Sequence, residues 1–264
     1  FFVEAGMLTH DQIRFWYDLF LHGLGEFFYR NEIDFTGEGF LRIESRGDKG
    51  TMGIKGTMGE EQKKGDLVLV GGGKDSAVTL GVMKASGRSF QTMVLNPTKA
   101  ATDTVRAAGL PDPIIVTRTI DPKLLELNTG GYLNGHTPFS AYLAFLGITV
   151  AALYGNENVI VSNERSANEG NVTYRGMEVN HQYSKSSEFE RKFKSYCQKY
   201  LIKDIHYFSF LRKYTELEIA KMFIKYPKYF SAFSSCNVAS RVGDRWCGNC
   251  PKCLFVYATL YPFL

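Results

Sequence analysis

From Asp66 onward the apolar positions alternate between two rhythms. Short apolar runs at 66–70, 90–95, 113–117, 158–162 and 204–209 have the length of buried strands. Longer stretches between them predict helices at 75–86, 98–108, 138–154, 186–202 and 215–224. Alternating strands and helices predict an α/β fold, a parallel twisted sheet with helices on both faces. In such sheets ligands sit beyond the carboxyl ends of the strands. The loops after Val70, Leu95, Thr117 and Val161 are therefore the expected seat of chemistry.

Upstream, residues 9–30 predict one amphipathic helix, opened by Thr9 with Gln12 as capping-box partner. Ile13, Trp16, Tyr17, Phe20, Leu24, Phe27 and Phe28 fall on one broad face, expected to be core or interface. Residues 44–65 differ. Gly50-Thr51-Met52-Gly53 recurs as Gly56-Thr57-Met58-Gly59 among charges, a composition of linkers. A domain boundary is placed there. Residues 1–64 form an N-terminal lead of helix and strand, expected to be the remnant of a longer N-terminal domain, and 65–264 the main domain. The chain starts at Phe1 rather than Met, so it is expected to be a piece of a longer protein.

Composition narrows the picture. With 44% hydrophobic and 22% charged residues the chain is expected to be soluble and globular. The longest apolar stretch, Phe139 to Leu153, is too short for a membrane span. No secretory pattern opens the chain, so a cytoplasmic location is expected and the glycosylation-like Asn171-Val172-Thr173 is taken as chance. A net charge of +4 argues against a nucleic-acid partner. The basic run Glu190-Arg191-Lys192-Phe193-Lys194 is expected to be a solvated helix face.

Two motifs carry chemistry. In Val70-Gly71-Gly72-Gly73-Lys74-Asp75-Ser76, a strand, a glycine turn and a helix N-terminus build an anion site from free N–H groups and the helix dipole. The pattern is neither a Walker loop nor GxGxxG. Near the C-terminus, Cys236 precedes Cys247-Gly248-Asn249-Cys250-Pro251-Lys252-Cys253, so four thiolates are available to close a tetrahedral metal site. Structural zinc is the expected occupant; buried free thiols and an iron–sulfur cluster are the alternatives. Cys197, in a predicted helix, is expected in the core.

The glycine turn resembles the SGGxDS loop of N-type ATP pyrophosphatases. Gly72, Gly73, Asp75 and Ser76 match, and Gly71 replaces the first Ser, removing one hydroxyl. The resemblance implies a PP-loop, HUP-like Rossmannoid fold in which Gly71, Gly72, Gly73, Lys74, Asp75 and Ser76 hold ATP. Release of pyrophosphate from ATP needs donors on the leaving group and Mg²⁺ to offset its charge. Asp75 is the candidate to place the metal and Lys74 to screen phosphate. Asn96, Arg118, Asn163 and Arg165, in the strand-end loops, complete the expected nucleotide site. Loop and cysteine block together resemble the architecture of 7-cyano-7-deazaguanine synthases.

Further polar segments follow apolar ones: Ser162 to Asn171, Glu178 to Ser186, Glu188-Phe189-Glu190, Phe208 to Arg212 and Arg245-Trp246-Cys247. These segments resemble the catalytic domain of the UDP-N-acetylmuramoyl-L-alanyl-L-glutamate epimerases. The resemblance covers most of residues 66–264. It implies ATP- and Mg²⁺-dependent inversion of the terminal glutamate of a UDP-linked muramoyl dipeptide, through an acyl-adenylate. His181 is the first candidate for the proton steps, with Lys185, Tyr183 and Glu164 as alternatives. Arg118, Arg165 and Arg175 are candidates to grip carboxylate or phosphate. Three other readings stay open: amidation or nitrile formation like that of the deazaguanine enzymes, tRNA modification, and a zinc-stabilised nucleotide-binding module without turnover. The oligomeric state is not legible.

Overall fold

A computed structural model describes residues 2–3, 6–45, 65–238 and 246–264. Most of the glycine-rich repeat segment lies outside the described residues, and so does Arg245. The chain opens with β1 (Phe2–Val3), α1 (His10–Gly23), α2 (Gly25–Arg30) and β2 (Glu44–Ser45). Then come β3 (Asp66–Leu69), α3 (Lys74–Ala85), β4 (Phe90–Leu95), α4 (Lys99–Ala107), β5 (Ile114–Val116) and α5 (Pro122–Thr129). A long α6 (Phe139–Tyr154) precedes β6 (Asn158–Val161), β7 (Val172–Tyr174), β8 (Met177–Val179) and α7 (Ser187–Tyr196). The rest is β9 (His206–Ser209), α8 (Glu216–Phe223) and α9 (Pro251–Leu260). No helix among the described residues is long and apolar enough to cross a membrane.

These elements sort into two compact units that interleave along the chain. Unit 1 comprises 1–59, 120–146 and 167–206; unit 2 comprises 60–119, 147–166 and 207–264.

Unit 2 is built on the sheet, in the order β5-β4-β3-β6-β9. β3 pairs in parallel with β4 on one side (Val68 opposite Thr92) and with β6 on the other (Val68 opposite Ile160), and β4 pairs in parallel with β5. All five strands coincide with the apolar runs; the central β3 and β6, covered on both faces, carry apolar residues at nearly every position. Leu67, Val68 and Val159 are fully buried. α3 packs its own buried face (Ala77, Val78, Leu80) with Ile219, Ala220 and Phe223 of α8 into one core. The chain steps outward from β3 through β4 to β5, then crosses back to β6 on the other side of β3. That reversal opens a crevice at the carboxyl ends of β3 and β6.

In unit 1 the capping box at Thr9 forms as predicted: Gln12 N–H donates to the Thr9 hydroxyl, and the Gln12 side chain accepts from Thr9 N–H. The predicted single helix over 9–30 instead breaks at Leu24, which ends α1 and starts α2. The buried face differs accordingly. Phe15 and Leu19 are buried, whereas Tyr17, placed on the apolar stripe, is 39% exposed. Trp16 stacks on Phe145 at 5.2 Å, and Phe15 on Tyr196 at 4.3 Å. Cys197 is 1% exposed, as expected, in a π turn that extends α7.

The turn after β3 places two opposite demands on neighbouring glycines. Gly72 has φ +82°, and a Cβ there would lie 2.4 Å from the Ala101 nitrogen, against backbone that cannot move aside. A Cβ on Gly71 would meet nothing within 4 Å. Gly72→Ala is therefore expected to destabilise the protein by at least about 2 kcal/mol, whereas Gly71→Ser should stay within about 0.5 kcal/mol of the parent. Urea unfolding of both variants checks the pair; equal midpoints would show that the close approach is not a constraint.

Candidate functional site

The turn leads straight into α3. Gly73 is its N-cap with no side-chain cap, so the N–H groups of the first helical turn point outward and carry the positive end of the dipole. Ser76 braces the turn: its hydroxyl accepts from Gly72 N–H at 3.2 Å and donates to the Gly73 carbonyl at 2.9 Å. The turn is also held from outside, where Ser234 N–H donates to the Gly72 carbonyl at 2.9 Å.

Lys74 does not project into solvent. Its side chain is 3% exposed, and Nζ reaches Asp75 Oδ1 at 2.5 Å and Glu216 Oε2 at 2.8 Å. Burial alone would lower the Lys74 pKa, but the two carboxylates outweigh it and raise it, so the ammonium stays charged. Glu216 is pushed up by burial, with Asp75 and Glu164 adding repulsion against the pull of Lys74. Two carboxylates thus hold one ammonium, and the surplus negative charge suits a cation. Among the described residues only the four cysteines form a ligand group of three or more. A cation at Asp75 and Glu216 would therefore need oxygens from its ligand, which is how Mg²⁺ is commonly held beside phosphates. Glu216 lies 142 residues from Lys74 and carries no local motif, which is why sequence reasoning missed it.

The loop after β6 meets the start of α3 through Ser162, whose hydroxyl is 2.8 Å from that of Thr79. Asn163 Nδ2 donates to Ser209 Oγ at 3.1 Å. Glu164 is 6% exposed and accepts from both the N–H and the hydroxyl of Ser166, closing the turn; this occupies the carboxylate proposed as a base. Arg212 donates to the Glu164 carbonyl at 2.9 Å, and Arg165 N–H to the Tyr214 carbonyl at 3.0 Å. Asn96 has φ +44°, and its amide clasps the backbone of Arg118 in both directions, at 2.6 and 2.9 Å. It ties two strand-end loops together.

Cys236, Cys247, Cys250 and Cys253 come together with all four sulfurs within 4.8 Å of one another. The separations are 3.8 Å for Cys236–Cys250 and Cys247–Cys253, and 3.5 Å for Cys250–Cys253. A tetrahedron of thiolates about 2.3 Å from a zinc ion has edges of about 3.8 Å. The separations are far beyond a disulfide bond, and all four thiols are free. The donor set and its spacing fit a tetrahedral thiophilic ion. Cys236 lies two residues after Ser234, and its N–H donates to the Ser234 hydroxyl, so the cluster and the glycine turn share one short segment.

The remaining candidates belong to unit 1. His181 donates its N–H to Asn171 Oδ1 at 3.0 Å, and its Nδ1 meets the same oxygen. An amide oxygen accepts only, so Nδ1 carries hydrogen. His136, missed in the sequence because no motif surrounds it, has its ring centroid 6.2 Å from that of His181. Burial, then His181, pushes the His136 pKa below its ordinary 6.5, which keeps it neutral at pH 7. Tyr183 is buried and donates to Asp18 at 2.6 Å; burial and that carboxylate drive its pKa far up, so it keeps its proton at neutral pH. Lys185 Nζ donates to Gln182 Oε1 at 3.1 Å. Arg175 sits at the β7–β8 turn with φ +53° and pairs with Asp34 at 3.2 Å.

Comparison with known proteins follows the same extent of chain. The model of the MurL N-terminal domain matches residues 2–210, and that of the MurL C-terminal domain matches 232–264. The UDP-N-acetyl-alpha-D-muramoyl-L-alanyl-L-glutamate epimerase of Xanthomonas oryzae pv. oryzae is 36% identical over 251 residues, covering 93% of this chain and 54% of that protein. The protein of the same name from Salinispora tropica is 35% identical over 250 residues, covering 93% and 53%. The chain thus spans about half the length of the curated relatives it matches. Among solved structures, a predicted subunit of tRNA methyltransferase from Methanocaldococcus jannaschii aligns with TM-score 0.37 and 16% identity, over 60% of this chain and 74% of that one. The NMN synthetase of Francisella tularensis aligns with TM-score 0.35 and 10% identity, over 76% and 85%. With both domain models matched in order and more than a third of positions identical to the Xanthomonas protein over 93% of this chain, the chain belongs to the MurL family.

Proposed function

We propose that this chain carries the ATP-dependent inversion of the terminal L-glutamate of UDP-N-acetylmuramoyl-L-alanyl-L-glutamate to D-glutamate, with AMP and pyrophosphate as the other products. The reaction would serve peptidoglycan precursor synthesis, in the cytoplasm, where thiolates stay reduced. One observation carries the reading. A glycine turn and helix N-terminus stand at the sheet's switch point, in a chain whose curated relatives are named for that epimerisation.

The chemistry explains why ATP is needed. Removing an α-proton beside a carboxylate builds a second negative charge next to the first. Joining the carboxylate to AMP removes that charge and makes the carbonyl an electron sink. The turn of Gly71, Gly72 and Gly73 with the first N–H groups of α3 would take the phosphates. Asp75 and Glu216 would hold Mg²⁺, which neutralises the leaving pyrophosphate, and Lys74 stays charged between them. Arg165, Asn163 and Arg118 line the strand-end loops of the same unit and are proposed for the nucleotide. For the proton steps, His181 is favoured as base, its ring held by Asn171, with Lys185, Tyr183 and Glu164 as alternatives. His136 would be its partner, since two imidazoles held this close offer an acid and a base to one substrate carbon. Zinc in the four-cysteine cluster would be structural, closing the segment that holds Gly72.

In deuterated water with the muramoyl dipeptide and ATP, deuterium is expected at the glutamate α-carbon as D-glutamate forms. AMP formation without deuterium would sink the epimerase reading. His181→Ala is expected to lower turnover about 100-fold or more with unchanged folding; unaltered turnover would remove His181 from the reaction.

A pH profile tests His136. Its pKa is lowered in the folded state, so the base form persists to lower pH. Activity should fall on acidification with a midpoint below 6.5, and His136→Asn should abolish that limb. An unchanged limb in the variant would exclude His136.

Purified protein is expected to carry a single zinc per chain. Chelation, or Cys247→Ser, should lower both thermal stability and ATP affinity, because the cluster adjoins the segment bonded to Gly72. Unchanged stability after complete metal removal would contradict a structural ion.

A further inference from the structure

Within unit 1, α1 and the extended α7 face each other across a cleft of about 430 Å³. Its walls follow helical spacing: Asp11, Arg14, Phe15 and Asp18 line one side, and Arg191, Lys192, Ser195, Tyr196, Lys199 and Tyr200 the other. A second cavity of about 330 Å³ adjoins it, sharing Arg191 and Ser195. Neither cavity involves His181, the glycine turn or the cysteines.

The charges in the cleft are not balanced. Four cations face two carboxylates. Asp11 is taken by Lys199, and Asp18 by Lys192 at 2.7 Å and the Tyr183 hydroxyl at 2.6 Å. Lys192 also pairs with Glu188 at 2.6 Å. Among the described residues, neither Arg14 nor Arg191 forms an ion pair, and they stand on opposite helices. Two uncommitted guanidiniums across one cleft match the forked oxygens of a phosphate pair. Beside them Phe15, Tyr196 and Tyr200 form a continuous aromatic series, with successive centroids 4.3 and 5.3 Å apart. Aromatic side chains are stacking platforms for a nucleobase. A concave site of this volume holds a ligand of nucleotide size.

We infer that the α1–α7 cleft binds a nucleoside diphosphate, the UDP end of the sugar–peptide substrate. Arg14 and Arg191 clamp the diphosphate and the half-buried Tyr200 ring, backed by the buried Tyr196 and Phe15, carries the base. This rests on the substrate proposed above. The basic run 190–194 is then a functional wall rather than a merely solvated face, and the Asp18–Tyr183 bond ties the cleft to the turn that carries His181.

The test is calorimetric titration of the whole chain with UDP, and separately with inorganic pyrophosphate. UDP is expected to bind the parent protein, and Arg14→Ala and Arg191→Ala are each expected to weaken it about tenfold or more. Arg191→Lys should recover part of the loss, and Tyr200→Ala should weaken UDP but not pyrophosphate. Undetectable UDP binding to the parent, or equal affinity in the Arg14→Ala/Arg191→Ala double variant with an unchanged melting temperature, overturns the site. Pyrophosphate binding as tightly as UDP overturns the nucleoside part. Turnover separates this inference from the reading it rests on. A raised KM with kcat retained in Arg14→Ala supports the cleft, whereas unchanged KM with normal epimerisation overturns the cleft alone. Absence of epimerisation in the parent refutes the substrate reading, while the UDP titration still decides the cleft.

Discussion

The close passage of Gly72 over the start of α4 is the constraint on which unit 2 depends. Only a residue without a side chain and with φ near +82° can bring β3 round into α3 with Ala101 so near. Three consequences follow. Lys74 is carried into the interior between Asp75 and Glu216, so α8 is fixed against the turn. Ser76 can reach back to Gly72 N–H and the Gly73 carbonyl. The Gly72 carbonyl is presented to Ser234, which begins the segment that reaches Cys236. Strand, glycine turn and cysteine cluster are therefore one mechanical system. A metal at the cysteines would act on nucleotide binding through backbone rather than through its charge.

Electrostatics divide the molecule by unit. The turn of unit 2 pairs a helix dipole with a surplus of carboxylate, an arrangement that becomes favourable for phosphate only when a divalent cation arrives with it. Unit 1 holds the opposite balance, with two guanidiniums in its cleft and a pair of imidazoles beside the β7–β8 hairpin. The reaction proposed above would need a metal-bound triphosphate and a base, and would draw on these two balances of burial and charge for them.

Legibility followed the range of the interactions. The strands could be read because each is a short apolar run, in β3 and β6 buried on both faces, and the Thr9–Gln12 box because its partners are three residues apart. The glycine turn and the cysteines were legible as compact motifs. The break between α1 and α2 was not, since the apolar stripe continues through Leu24 in sequence while the backbone does not. Glu216, Ser234 and His136 were invisible because each acts at long range on a partner in another element. The clasp that Asn96 makes between two loops was not legible either, since it needs the positive φ which only the structure shows.

The central claim is that this turn cleaves ATP between its α- and β-phosphates to activate a carboxylate. Phosphorus NMR of a single reaction with Mg-ATP and the muramoyl dipeptide tests it directly. The account predicts AMP and pyrophosphate in equal amounts, formed only when the dipeptide is present. ADP and inorganic phosphate, or D-glutamate formed with ATP left intact, would contradict it.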